Sequence, residues 1–143
     1  YKYKTNQIML TGHSLGGIST LLAIDLKNNY PDYQITSLVT FGSPRMGNSE
    51  FVKMFRELDI NSIRVTHYYD MVPHVPEERF GYQHIPSEIW YNEDNTKFIN
   101  CDDNGVNSKE DDECSNSCSP LHCTSINDHL TYLNVKMGID GDC

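Results

Sequence analysis

The sequence predicts an α/β fold built on a mainly parallel sheet with flanking helices, and three observations predict it. Short apolar segments of strand character alternate with segments whose apolar residues recur every three or four positions. The order is strand, helix, strand, helix, strand, a βαβαβ unit whose right-handed crossovers make neighbouring strands parallel. A Gly-x-Ser-x-Gly turn, Gly12-His13-Ser14-Leu15-Gly16, stands at the first junction between strand and helix.

The elements follow in order. Residues 7–11 read as a short buried strand. Leu15, Ile18, Leu22 and Leu26, with Leu21 beside them, then mark one face of a helix. Asn28, Asn29 and Pro31 end it. Residues 35–41 are apolar at Ile35, Leu38, Val39 and Phe41, which suits a strand covered on both faces. Gly42-Ser43-Pro44 turns the chain. Phe51, Phe55 and Leu58, with Val52 and Met54 near, mark a second helix. In residues 63–69, Ile63, Val65, His67 and Tyr69 alternate with Arg64, Thr66 and Tyr68, the period of a third strand. Beyond Asp70 the pattern weakens. Residues 88–91 and 97–101 read as edge strands that a hairpin would join, and 128–135 as a short closing helix. There is no internal repeat, and 143 residues suffice for one domain with one core.

Charge and cysteine content narrow the function. Eleven Lys and Arg face twenty Asp and Glu, a net charge of -9 that repels phosphate backbones and excludes nucleic acid as a partner. Asp102, Asp103, Glu110, Asp111, Asp112 and Glu113 crowd one stretch, read as a solvated loop. A calcium loop starting at Asp102 fails, because Val106 and Asn107 stand where a ligand and a glycine are required. No stretch approaches the ~18 apolar residues of a membrane span. All five cysteines lie between Cys101 and Cys143. Cys101, Cys114, Cys118 and Cys123 crowd into a polar segment rich in Ser, Asn and Asp that buries little, so disulfides are the natural way to order it, with 102–125 read as a stapled loop. Zinc on Cys114, Cys118, Cys123 and His122 fits no standard ligand spacing. Disulfides imply an oxidising compartment, secreted or lumenal. The odd count leaves Cys143 to pair outside this chain. With neither initiator Met nor signal peptide, the chain reads as a fragment of a longer protein.

The chemistry centres on Ser14. A serine between small residues at a strand-to-helix turn is presented above the sheet, where the helix dipole and the N–H of Leu15 favour an oxyanion. The bland alternative is an ordinary glycine-rich turn. A serine hydroxyl also needs a base, and the base an orienting acid. In such folds the order is Ser, then Asp or Glu, then His. Asp70 closes a predicted core strand; Asp59, Asp94 and Asp128 do not. Six histidines compete. His13 is expected to pack or bond locally, His67 to be a satisfied core residue, and His122 lies in the cysteine loop. Order favours His129 and leaves His74 and His84, which follow Asp70, in contention.

The whole chain resembles the fungal-type triacylglycerol lipases, the class-three lipase family of α/β-hydrolases. Residues 8–17 resemble that family's nucleophile strand and elbow, and 40–48 its next strand and turn. Residues 64–76 resemble the segment bearing the acid, 81–91 the segment after it, and 128–132, Asp-His-Leu-Thr-Tyr, the one bearing the histidine. The resemblance implies a Ser14–Asp70–His129 triad, no metal or organic cofactor, and a lipid or other ester substrate at a lipid–water interface. Glu77, Pro86 and the cysteine-rich insert depart from the family pattern at the rim and edge, where they bear on substrate preference. The family's lid helix and second oxyanion donor belong to its N-terminal half. Residues 1–143 therefore read as the C-terminal catalytic portion of a single α/β-hydrolase domain, expected to fold poorly or be inactive alone. The expected activity is triacylglycerol hydrolysis, with phospholipase A1 or a feruloyl-type esterase as alternatives. A non-catalytic lipid-binding module on the same fold is the alternative from another class.

Overall fold

A computed structural model describes residues 5–101 and 110–138. In chain order these form β1 (Gln7–His13), a short 3-10 helix (Ser14–Ile18), α1 (Ser19–Asn29), β2 (Gln34–Phe41), β3 (Gly47–Asn48) and α2 (Ser49–Glu57). Then come β4 (Ser62–His67), β5 (Tyr82–Gln83), β6 (Glu88–Tyr91), β7 (Phe98–Asn100), α3 (Ile126–His129), β8 (Thr131–Tyr132) and β9 (Val135–Lys136). The main sheet has the order β1-β2-β4-β6-β7. Its first four strands are parallel, and β7 runs antiparallel to β6. Two antiparallel pairs, β3 with β5 and β8 with β9, lie outside it.

The two crossover helices pack differently. In α2 the Asn48 side chain accepts the Phe51 N–H at 3.0 Å, Glu50 occupies the first turn and Arg56 the last, so the ends are capped and matched to the helix dipole. Its buried face is Val52 and Phe55, as the apolar spacing predicts. The first helix departs from its predicted face. Leu15 is 79% exposed, Ile18 60% and Leu22 48%, while Gly17, Thr20 and Ala23 are buried. The reason is steric. A Cβ on Gly17 would fall 2.1 Å from the Ser43 hydroxyl, so only small side chains fit where the helix leaves the elbow. The core gathers Ala23, Leu38, Phe55, Ile60 and Ile85, flanked by Leu10, Ile24, Ile35, Phe51 and Leu58.

The strands also refine the sequence reading. β2 is covered only toward its C-terminal end, since Gln34 and Thr36 are exposed. β1 pairs with β2 on one side, carries no strand on the other among the described residues, and leaves Met9 70% exposed. β4 stops at His67, two residues early, because Tyr68 turns to φ 35 and stacks its ring on Tyr69 at 3.9 Å. β6 is an interior parallel strand, not an edge. It receives Arg64 and Thr66 of β4 on Glu88, with Thr66 Oγ1 donating to Glu88 at 2.5 Å. Of the two strands read as edges, β7 is the one at the sheet's border, hairpin-linked to β6.

The predicted closing helix is four residues long. Ser125 caps it by accepting the Asp128 N–H at 3.0 Å. Leu133 and Asn134, at φ 52 and 62, then turn the chain into the β8–β9 hairpin. The cysteine segment is stapled by Cys101–Cys114 and Cys118–Cys123. Asp102, Asp103 and Cys143 lie outside the described residues. Glu110 corrects the expectation of a solvated acidic loop: it is buried and accepts Arg45 Nε and Nη2, each at 2.7 Å. Among the described residues no helix is long and apolar enough to cross a membrane.

Candidate active site

The site begins with backbone strain. Ser14 has φ 59, a left-handed conformation that side chains other than glycine rarely adopt. It directly follows the last residue of β1 and opens the 3-10 turn, so its hydroxyl projects off the C-terminal end of the strand. Gly12 makes the bend, since a Cβ there would sit 1.9 Å from the Gly16 carbonyl oxygen. Gly16 itself faces open space, and Gly17 is the residue packed tightly against the next strand's turn. The Leu15 N–H falls in the first turn of the 3-10 helix, where N–H groups have no partner within the helix.

Two distant segments meet this elbow. Asp70 follows β4 and forms an isolated parallel bridge with Ser125, which docks the segment leading into α3. His129 is the last residue of α3. Its Nε2 lies 2.8 Å from Ser14 Oγ and its Nδ1 3.0 Å from Asp70 Oδ2. Asp70 is 1% exposed. Its Oδ1 accepts the Val72 N–H at 2.8 Å, and its Oδ2 accepts the Tyr132 hydroxyl at 2.5 Å. A buried carboxylate held by several donors is fixed in orientation. With Nδ1–H donated to Asp70, the other ring nitrogen is left to accept the serine proton.

Three neighbours escaped the sequence reading. Tyr132 is fully buried; burial, then the adjacent Asp70 charge, push its phenol well above the usual range, so it stays protonated and donates. Gly42, read only as a turn, has φ 54, and a Cβ there would meet Asp70 Oδ2 at 2.6 Å and His129 Nδ1 at 3.0 Å. His13 does not bond locally. Its Nε2 lies 2.7 Å from the His129 carbonyl oxygen, 116 residues away. Neither hydropathy period nor turn chemistry carries these contacts.

The competing residues have other work. His67 Nδ1 donates to the Asp128 carbonyl at 2.9 Å and Nε2 accepts from the Asn95 side-chain NH2 at 2.9 Å, as expected of a satisfied core histidine. His84 bonds the Pro73 carbonyl at 2.8 Å, and burial holds its ring well below the ordinary histidine range. Burial, then the Arg45 charge, also lower His74. His122 pairs with Ser119 at 2.8 Å. Asp94 caps its own turn through Thr96, Asp59 occupies a left-handed turn, and Asp128 accepts the Tyr69 N–H at 3.3 Å. Among the described residues His129 is the histidine hydrogen-bonded to both a serine and an aspartate.

A parallel sheet with helical crossovers, a strained serine at the first strand-to-helix turn, and an aspartate and histidine delivered by later segments define an α/β-hydrolase. Comparison with known proteins narrows the class. The model of the family described as "Lipase (class 3)" matches residues 1–80, and the chain belongs to that family. A lipase of Rhizopus niveus is 37% identical over 139 residues, 95% of this chain and 34% of that protein. The solved structure of lipase II from Rhizopus niveus superposes with a TM-score of 0.81 at 35% identity, over 92% of this chain and 49% of its own. A solved triacylglycerol lipase whose catalytic centre is a serine-protease triad superposes at 0.80 with 33% identity, over 96% of this chain and 51% of its own. The chain thus spans about a third of the length of the Rhizopus niveus lipase it matches.

Proposed function

We propose that the protein carrying this chain is a secreted serine carboxylic-ester hydrolase, a triacylglycerol lipase, with Ser14 as nucleophile, His129 as base and Asp70 as its orienting acid. The observation that carries this is the hydrogen-bonded line from Ser14 Oγ through His129 to Asp70. In the first step His129 Nε2 takes the Ser14 proton as Oγ attacks the ester carbonyl. Asp70 holds the imidazole in its Nδ1–H form and stabilises the imidazolium. The Leu15 N–H, with a second donor from residues outside this chain, receives the oxyanion. His129 then protonates the departing alcohol, and water repeats the sequence on the acyl-enzyme. Every step is proton transfer and acyl transfer carried by these side chains.

Residues 1–143 are read as the C-terminal catalytic portion of one α/β-hydrolase domain. The outer edge of β1, which no strand pairs among the described residues, and the span of about half the matched lipase structures support this. The exposed Leu15 and Leu130, each adjacent in sequence to a triad residue, suit an ester presented at a lipid–water interface. The two disulfides support export.

A fluorophosphonate probe on the full-length protein tests the reading. Ser14 is expected to label, and Ser14→Ala to lose labelling and about a millionfold of hydrolysis. Unlabelled wild-type protein would leave a non-catalytic lipid-binding module. A series of esters varied in chain length and head group, with and without emulsion, is expected to favour long-chain triacylglycerols. A preference for phospholipids or feruloyl esters would reassign the substrate.

A further inference from the structure

We propose that His13 is a positioning residue for His129, gripping the base by both its backbone and its ring. The inference rests on the Ser14–His129–Asp70 reading and extends it. The His13 Nε2 atom stands 2.7 Å from the His129 carbonyl oxygen. A carbonyl only accepts, so Nε2 carries a proton and donates. The two imidazoles are also stacked, with centroids 4.6 Å apart and planes at 28°. Tyr132, the phenol bonded to Asp70, meets the His13 ring edge-on at 5.8 Å. One side chain therefore touches the backbone and ring face of the base and the ring of the tyrosine that holds the acid.

The need for such a clamp is visible in the fold. His129 sits at the end of a four-residue helix, followed at once by the small β8–β9 hairpin. So short a helix has little stability of its own. Neither β8 nor β9 joins the main sheet, and Ile126 and Leu130, on either side of His129, are exposed. The nucleophile, by contrast, stands on β1, which pairs with β2 along its whole length. His13 is the last residue of β1 and the residue before Ser14. Its hydrogen bond thus spans from the strand of the nucleophile to the segment of the base, parallel to the Ser14–His129 bond itself. Adjacent residues 13 and 14 hold both ends of His129, the carbonyl and Nε2. Proton transfer demands this distance within tenths of an ångström, and a base free to rotate spends less time within reach. The stacked ring also covers one face of His129, limiting rotation about its side-chain torsions and shielding the imidazolium that forms during acyl transfer.

The test is made on the full-length protein with four forms: wild type, His13→Ala, His13→Gln and His13→Phe. Gln can place an N–H near the His129 carbonyl without stacking; Phe can stack without donating. His13→Ala is expected to lower kcat tenfold to a hundredfold with KM within about twofold, and to slow fluorophosphonate labelling in parallel. Gln and Phe are each expected to recover part of that loss, while thermal unfolding shows that both remain folded. Wild-type kcat in the Ala variant, a loss confined to KM, or Gln and Phe variants that fold yet are no better than Ala would overturn the clamp. Wild-type protein that fails to label would instead overturn the underlying triad reading.

Discussion

Replacing Glu110 by Gln is expected to destabilise the protein by about 2–3 kcal/mol at neutral pH, and the structure fixes both the size and the pH dependence. Glu110 is buried within the segment that the Cys101–Cys114 disulfide closes. It accepts two hydrogen bonds from Arg45 at 2.7 Å and one from the His84 N–H at 2.9 Å. Burial pushes its carboxyl up; the His84 ring, the Arg45 hydrogen bonds and charge, and the Arg64 charge outweigh that and hold it at about 2 against an ordinary 4.5. His84 is itself held well below the ordinary histidine range and is uncharged at neutral pH, so Arg45 is the principal partner there. At ~1.4 kcal/mol per pH unit, the separation amounts to about 3 kcal/mol of folded-state stability. Because the carboxyl is depressed in the folded state, this contribution is complete above about pH 4.5 and disappears as pH falls toward 2. Gln keeps one accepting oxygen but turns an NH2 group toward the guanidinium or the His84 N–H, leaving donor facing donor. Urea unfolding of the full-length wild type and Glu110→Gln at pH 7, 5, 3 and 2.5 reads the difference directly. The gap should hold from pH 7 to 5 and close below. A gap that stays constant across that range, or one under about 0.5 kcal/mol at pH 7, would refute the argument from this ion pair.

Two further substitutions address the acid's surroundings. Tyr132→Phe removes a donor from a buried charged acceptor, an interaction of about 1.5–3 kcal/mol, so kcat should fall roughly tenfold to a hundredfold in steady-state hydrolysis with KM little changed; an unaltered kcat would show that Asp70 does not need the phenol. Gly42→Ala combines a left-handed φ of 54 with a Cβ 2.6 Å from Asp70 Oδ2, and is expected to lose at least ~2 kcal/mol of stability together with activity. A melting temperature within a degree of wild type would mean that the turn moves aside freely.

The βαβαβ order and the elbow were legible because hydropathy period and glycine placement are properties of neighbouring residues. Ser14, at the left-handed start of the 3-10 turn right after β1, sits where that local pattern puts it. The first helix shows where period misleads. Its leucines repeat as a core face should, yet Gly17, Thr20 and Ala23 are the buried residues, and at Gly17 the Ser43 side chain leaves no room for a Cβ. The placement of His129, rather than His74 or His84, against Ser14 and Asp70 is likewise not a local matter: chain order and family resemblance favour it in the sequence, and the chain fold brings its ring to both residues.

What the sequence by itself determined was the alternation of elements, the nucleophile turn and the acidic, disulfide-linked character of the C-terminal region. What only the tertiary structure decided was which side chains meet across 59, 65 or 116 positions: Asp70 with His129, Arg45 with Glu110, and His13 with the His129 carbonyl. Spacing along a chain encodes which face of a helix or strand a residue occupies. Contacts between faces depend on how the sheet twists, how closely the elbow lets α1 approach, and where the staples draw a polar loop inward, and no single segment contains that information.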